Sequence, residues 1–491
     1  MQTSEVCFAF EVHQPYRIDF QFNPEFAKRK RNLRDAYFAG INREILQRVV
    51  EKCYMPATQI VLEGLDAGFK CAFSFSGTVV EQLERWNRDT LELFRQAAEH
   101  KNAEILAQTY YHSIASLFGE RSEFEEQVKL HIQLMKDVFG VKPEVFENTE
   151  LIFDSMIATV AKELGFKAVF AEGAERFLEG RSPNYVYSCN GIKILLRNYT
   201  LSDDIAFRFS SGEWDQYPLT ADKYADWLAA TPGDCVNIFV DYETFGEHHW
   251  KESGILDFLR WLPHECMKRG IEFATPSEVA ELQAVGEIDV SETISWADVE
   301  KDTSAWLGNW MQSTAFRAVK RAKAYAEYYN PVIWRYLQTS DHFYYMATKQ
   351  GSSGEVHNYF SQHHPFEAFS IYMRVLSHYE ERCSSRMKSK QAAIALRSLP
   401  PEKAFHFRHF SGDYAGSAYS LDDFASLLRS IPVESIRFHL ENGDFERWIE
   451  YVLCDKRLVE EIRKLRREGD VVDGLVEVVE KRRCELWRLL K

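Results

Sequence analysis

Seven short apolar runs, separated by amphipathic stretches, fill the first 283 residues, and this alternation constrains the fold more than any other feature of the chain. The runs are Val6–Val12, Phe69–Ser76, Ala103–Thr109, Pro143–Thr149, Lys167–Gly173, Cys235–Glu243 and Ile271–Thr275. Strands that alternate with helices pair in parallel, so the pattern predicts an α/β fold, a seven-stranded parallel (β/α)7 barrel. The intervening helices include Phe124–Phe139, where Phe124, Val128, Ile132, Met135 and Phe139 fall on one face at helical spacing. Ser155–Leu164 and Ser253–Arg269 read the same way. Tyr185–Asn198 breaks the rhythm: Asn190-Gly191 between alternating runs is a hairpin signal, and the segment is expected to lie over the barrel rather than within it.

Past about Ile288 the strand signal fades. Residues 294–395 carry helical periods rich in aromatics, which predicts a helical bundle domain. The paired prolines in Ser398-Leu399-Pro400-Pro401 stop the last of these helices. The remainder opens on a short strand-like run, Ala404–Phe410, and then becomes helical and charged. Three domains follow: the barrel over 1–287, a helical domain over 288–398, and a small, mostly helical C-terminal domain over 402–491.

Charge and cysteine usage remove several function classes. A formal net charge of -15 lacks the basic footprint of a nucleic-acid or anionic-membrane binder, so neither partner is expected. The nine cysteines are scattered singly without a C-x-x-C pair, which points to reduced core residues rather than a zinc ribbon or a disulfide framework. No apolar run is long enough to span a bilayer, and the first strand begins near Val6 with no signal peptide expected before it. The expected location is cytoplasmic, and the oligomeric state is left open.

Carboxylates at strand ends carry the chemistry. The run Cys235–Val240 stops in Asp241 and Glu243, before Gly246 allows a sharp turn. In a parallel barrel, side chains at the carboxyl ends of strands face the active-site mouth. Capping of the following helix is the plain alternative for Asp241 and Glu243. Strand one ends in Glu11, His13 and Gln14; strand two in Ser74, Ser76 and Gly77; strand four in Glu147 and Glu150. Strand three carries Glu104, followed by Tyr110, Tyr111 and His112. Thr149 could cap a helix near Ile152, leaving Glu150 to its dipole. Two carboxyls from different strands, Glu150 and Asp241, could instead flank a sugar ring as nucleophile and acid, one ionised and one kept protonated. Glu243 is a plausible neighbouring anion for that purpose, while Glu104 and His13 could bind sugar hydroxyls.

In this order, the segments VHQPYR, AEILAQTYYHS, FENTELIFDS, VDYETFGEHHW and SWADVEKDTSAWLGN resemble the five sequence regions of glycoside hydrolase family 57, with the α-amylase-like branch most similar; they span residues 12 to 309. The resemblance implies a (β/α)7 barrel followed by a helical domain, acting on α-1,4-glucans or maltooligosaccharides through a covalent glycosyl-enzyme, without cofactor or metal. It implies Glu150 as nucleophile and Asp241 as general acid/base. It also implies His13, Glu104 and Glu243 as substrate-binding residues, with Trp306 contributed by the helical domain. Glu11 stands where many members of the family have the first histidine of His-x-His. The C-terminal domain resembles a module appended to some of these enzymes. Transfer to another sugar, as in a 4-α-glucanotransferase or branching enzyme, would use the same residues. Two other classes remain open: a non-catalytic glycogen-associated binding protein, and a metal-dependent deacetylase-like hydrolase using His13, His112, His248, His249 and Asp241.

Overall fold

The computed structural model describes residues 5–30, 32–38, 40–349, 363–468 and 472–490. The chain forms two compact units. The first comprises Met1–Arg17, Gly40–Ala305 and Gln338–Asp341, and the second Ile18–Ala39, Trp306–Leu337 and His342–Lys491.

The first unit is built on β1 (Glu5–Val12), β2 (Cys71–Phe75), β3 (Ala103–Ile105), β4 (Val145–Glu147), β5 (Ala168–Glu172), β6 (Tyr187–Cys189), β7 (Ile192–Arg197) and β8 (Cys235–Asp241). Seven of these are parallel, in the order β3–β2–β1–β8–β7–β5–β4, while β6 pairs antiparallel with β7. A parallel bridge between Ala107 and Phe146 joins the two ends of that order and closes the ring. Its hydrogen bonds run from Ala107 N–H to Val145 O (3.0 Å) and from Glu147 N–H to Ala107 O (2.9 Å).

The expected count of seven parallel strands is met, but one member differs. Ile271–Thr275 makes only an isolated bridge, Val6 to Phe273, on β1 before β2 begins to pair at Phe8. The seventh strand is β7, from the segment expected to lie over the barrel. Asn190-Gly191 does make a hairpin, but its second arm is buried through Ile194, Leu195 and Leu196 and inserts between β5 and β8. A hairpin turn fixes only the pairing of its two arms and leaves the far edge of the second arm free for another neighbour.

Period-two alternation decides what lies inside the ring. Inward positions read Cys7, Ala9, Glu11 on β1 and Ala168, Phe170, Glu172 on β5; on β8 they include Cys235, Phe239 and Asp241. The apolar members of these columns form one core cluster with Ala72, Leu106, Val145 and Leu195. Outward positions such as Phe8, Phe10, Phe73, Val236 and Ile238 pack into a larger cluster beneath the helices. Each inward column is therefore apolar below and charged at its carboxyl end.

The second unit is helical, with Pro365–Ser384 and Val472–Leu490 as its longest described helices. Residues 350–362, part of the stretch expected to be helical, lie outside the described residues. The strand-like run after the paired prolines forms β9 (Phe405–Arg408), paired antiparallel with β10 (Tyr414–Ala418). Phe405 packs its ring against Phe407, Phe424, Phe445 and Trp448, so Trp448 is a core residue. Seven cysteines are buried, Cys454 and Cys484 are exposed, and all nine are free. Among the described residues no helix is long and apolar enough to cross a membrane.

Candidate active site

The carboxyl ends of β1, β2, β4 and β8 bring a group of acids and two imidazoles together. Glu11 is the register partner of Asp241 on β8 and of Ser74 on β2. His112, just after β3, spans the group: its Nδ1 lies 3.1 Å from Glu11 Oε1 and its Nε2 3.5 Å from Glu150 Oε1. The His13 ring stacks on it with centroids 3.9 Å apart.

Glu150 is held by several donors. Trp296 Nε1 donates to Oε2 at 2.7 Å, and Ser340 Oγ to Oε1 at 2.9 Å. Its backbone is left-handed, φ 60° and ψ 23°, and that of His112 is too, at φ 47°. Such conformations are unfavourable for residues with a Cβ and mark positions held by their surroundings. Helix capping does not account for Glu150. Asp154 caps Ser155–Glu163 by accepting the N–H groups of Met156 and Ile157, while Thr149 Oγ1 is engaged with Thr109 Oγ1 at 2.6 Å.

The two carboxyls at the centre of the group have opposite environments. Burial pushes Glu150 up, but the hydrogen bond and charge of His112, followed by the Trp296 indole, bring it below the ordinary glutamate value. Asp241 is pushed well above its ordinary value by burial and then by the charges of Glu11, Glu243 and Glu150. Asp241 is half-buried at the end of β8, in register with Glu11. His112 is driven well above its usual range because Glu11 and Glu150 outweigh the opposing effect of burial.

Around this centre, Glu243 accepts Tyr54 O–H, His13 N–H (3.3 Å) and Gln14 Nε2–H (3.4 Å), and burial raises it to about 7. His13 sits between Ser76 Oγ (2.7 Å from Nδ1) and Asp341 Oδ2 (3.0 Å from Nε2). Gly246 closes the turn after Glu243 at φ 132°, with no room for a Cβ beside the Lys52 carbonyl.

Of the residues expected from the sequence, Glu150, Asp241, His13 and Glu243 gather here. Glu104 does not. It lies near the start of β3, beside Ala72 in register, and its Oε2 accepts the Ser277 N–H at 2.8 Å, an interaction at the amino-terminal end of the barrel interior. Trp306 belongs to the second unit, where it is 1% exposed. Four contributors to the site were not singled out from the sequence: Tyr54, Trp296, Ser340 and Asp341. The segment carrying the last two runs antiparallel to residues 111–114, bridged at Ser113 and Thr339, with Ser340 N–H bonded to His112 O at 2.9 Å. No local pattern marks such a segment; Trp296 follows Ile294, which pairs with Phe153 just after Glu150.

Of the histidines considered as metal ligands, His13 and His112 stack in the site, whereas His249 is engaged elsewhere. His249 is taken by Ser210 Oγ (2.8 Å) and by the Ile205 and Ala206 carbonyls. Among the described residues, no group of three or more His, Cys, Asp or Glu is arranged to hold a metal ion.

Comparison with known proteins agrees with this geometry. Residues 7–292 match the profile described as Glycosyl hydrolase family 57. A curated relative from Methanocaldococcus jannaschii, named "Putative alpha-amylase", is 47% identical over 397 residues, covering 76% of this chain and 84% of its own. Among solved structures, a branching enzyme of the same family from Pyrococcus horikoshii aligns with a TM-score of 0.55 at 15% identity, over 77% of this chain and 91% of that one. An α-amylase from Thermotoga maritima aligns at 0.51 with 14% identity, over 79% and 95%. At these identities the two structures speak for the fold, and the profile and the closer relative speak for descent. The chain is a member of glycosyl hydrolase family 57, a glycoside hydrolase on a seven-stranded parallel barrel.

Proposed function

We propose that this chain is an α-amylase-like hydrolase of α-1,4-glucans that works with retention of configuration, using Glu150 as nucleophile and Asp241 as general acid/base. The observation that carries the reading is the opposed environment of the two carboxyls: Glu150 is surrounded by donors that favour its anion, while Asp241 is buried beside anions that favour its acid form. Glu150 attacks the anomeric carbon as the glycosidic C–O bond breaks, and Asp241 protonates the departing oxygen. Asp241, now an anion, removes a proton from water, whose oxygen takes the sugar from Glu150 and frees both carboxyls. His13 and Glu243 bind hydroxyls of the sugar seated between them. The relative from Methanocaldococcus jannaschii supports starch-like glucans as the substrate class.

Incubation with a 5-fluoro-α-glucosyl fluoride, followed by peptide mass mapping, tests the assignment. The expected adduct is on Glu150; an adduct on any other residue overturns it. Chromatography of products from maltoheptaose then counts shortened against lengthened chains. Hydrolysis predicts shortened chains alone, and lengthened or branched products would assign the same residues to transfer.

A further inference from the structure

We propose that Glu11 is the positioning residue that makes the two reacting carboxyls unequal, holding the His112 imidazolium against Glu150 while its own negative charge stands beside Asp241. The proposal rests on the reading of Glu150 and Asp241 given above. Glu11 is the last inward residue of β1, 1% exposed, and an outward turn would take its side chain out of the ring. On one side its register partner is Asp241, and parallel neighbours lie about 4.8 Å apart. On the other side, at 3.1 Å, is His112 Nδ1, whose hydrogen bond goes to Gln108 Oε1 at 3.1 Å, so that Glu11 acts on the ring by charge; the far nitrogen reaches Glu150 at 3.5 Å. One buried carboxylate thus lies against His112 and beside Asp241.

The groups packed around Glu11 make the inequality necessary. Glu147, the end of β4, is fully buried and satisfied on one oxygen only, by Ser74 Oγ at 2.7 Å. Glu243 lies one turn beyond Asp241, and Asp341 is engaged by His13, which stacks on His112. Carboxyls so outnumber imidazoles that they cannot all be anions together. His112 serves Glu11 and Glu150 and His13 contacts Asp341, whereas Asp241, Glu147 and Glu243 have no imidazole partner and are the groups that keep protons; of these three, Asp241 is the one in register with Glu11. The arrangement also works through the cycle. When Glu150 becomes a neutral ester its claim on His112 lapses, and Glu11 keeps the imidazolium in place for the return of the carboxylate. Meanwhile the Asp241 anion left by protonating the leaving group is repelled by Glu11, which strengthens it as the base that takes the proton from water.

The test is the pH dependence of kcat/KM on maltoheptaose for the full chain and its Glu11→Gln variant. The acid limb reports ionisation of Glu150, and the alkaline limb loss of the Asp241 proton. In Glu11→Gln the acid limb is expected to move up and the alkaline limb down by about one pH unit each, with the maximum lowered about 10-fold or more. Glu11→Asp, which keeps the charge, restores part of the width. An aryl maltoside whose leaving group departs without protonation should lose the alkaline shift and keep the acid one. Limbs unmoved in Glu11→Gln, whatever the loss of rate, would reduce Glu11 to a packing residue. If that variant fails to fold, His112→Gln serves in its place: it should move the acid limb up more than it moves the alkaline limb, and an unmoved acid limb overturns the proposal. The fluoride adduct separates the two levels. An adduct away from Glu150 removes the reading beneath the proposal, whereas an adduct on Glu150 with unmoved limbs removes only the role of Glu11.

Discussion

Trp296 holds Glu150 at both ends: its indole N–H donates to Oε2 at 2.7 Å, and its backbone N–H donates to the Glu150 carbonyl at 3.2 Å. The indole is itself braced, edge-on to Phe239 of β8 with centroids 5.7 Å apart and beneath the Arg197 guanidinium at 5.6 Å. Trp296→Phe keeps the ring and removes one donor to a carboxylate, an interaction typically worth about 1.5–3 kcal/mol. The rate constant kcat should fall roughly 10- to 100-fold with little change in KM. Because Glu150 must be ionised to attack, loss of the donor raises its pKa and moves the acid limb of the pH–rate profile upward. A variant with an unchanged acid limb would mean that the indole only packs.

Asp341 bears on binding more than on bond cleavage. It fixes His13 through Nε2 at 3.0 Å, and His13 in turn donates its backbone N–H to Glu243. In Asp341→Asn the imidazole loses its charged partner, while Trp296 and Ser340, the donors to Glu150, stay in place. KM for maltoheptaose should rise several-fold, by more than kcat falls. Steady-state kinetics decide it, and a drop in kcat at constant KM would contradict the assignment of His13 to substrate.

Arg197 tests the barrel itself. It is 3% exposed and bonds Glu172 Oε2 at 3.0 Å, Asp203 Oδ1 at 2.7 Å and the Phe239 carbonyl at 2.8 Å. Arg197→Met leaves the buried Glu172 carboxylate with only the more distant Lys301 ammonium at 3.7 Å and should cost about 3–5 kcal/mol in denaturant unfolding. Arg197→Met combined with Glu172→Gln should cost less than the single change, because the orphaned charge is gone. Equal losses would show that packing, not charge, dominates at this junction.

Stability should fall as pH rises toward neutrality. Burial lifts Glu243 and, in the second unit, Glu380 to about 7 each. A carboxyl raised on folding gives its full stabilisation below its unfolded pKa of about 4.3, and that contribution is lost as pH passes up through the folded value. Between about pH 4.5 and 7 these two groups therefore oppose the carboxylates that ion pairing holds down. Glu380→Gln, which retains an acceptor for the Ser398 N–H, should flatten its share of the slope in thermal unfolding followed across that range. A slope unchanged by the substitution would mean that Glu380 is ionised in the fold.

What could be read in advance follows from how far each signal acts along the chain. The inward column Cys7–Ala9–Glu11 and the run that ends in Asp241 are local, period-two patterns, so the barrel and its charged rim were legible. The hairpin at Asn190-Gly191 was legible too, but not the neighbour of its second arm, since pairing of β7 with β5 and β8 depends on distant strands. Glu104 shows the same limit in another form. A carboxylate on the right strand was visible, but the end of the barrel it serves is set by Ser277, 173 residues away. Trp296 arrives by a loop, and Ser340 and Asp341 at the start of the short helix Ser340–Tyr344; their approach is purely tertiary, and composition gives no notice of them.

The left-handed backbone of Glu150 has a price in robustness. Glycine adopts φ near 60° freely, so exchanging the glutamate for glycine would release strain on the order of 1 kcal/mol while removing the carboxylate proposed to attack. On the proposed reading, the strain at this position is what holding the attacking carboxylate among the Trp296, Ser340 and His112 donors requires.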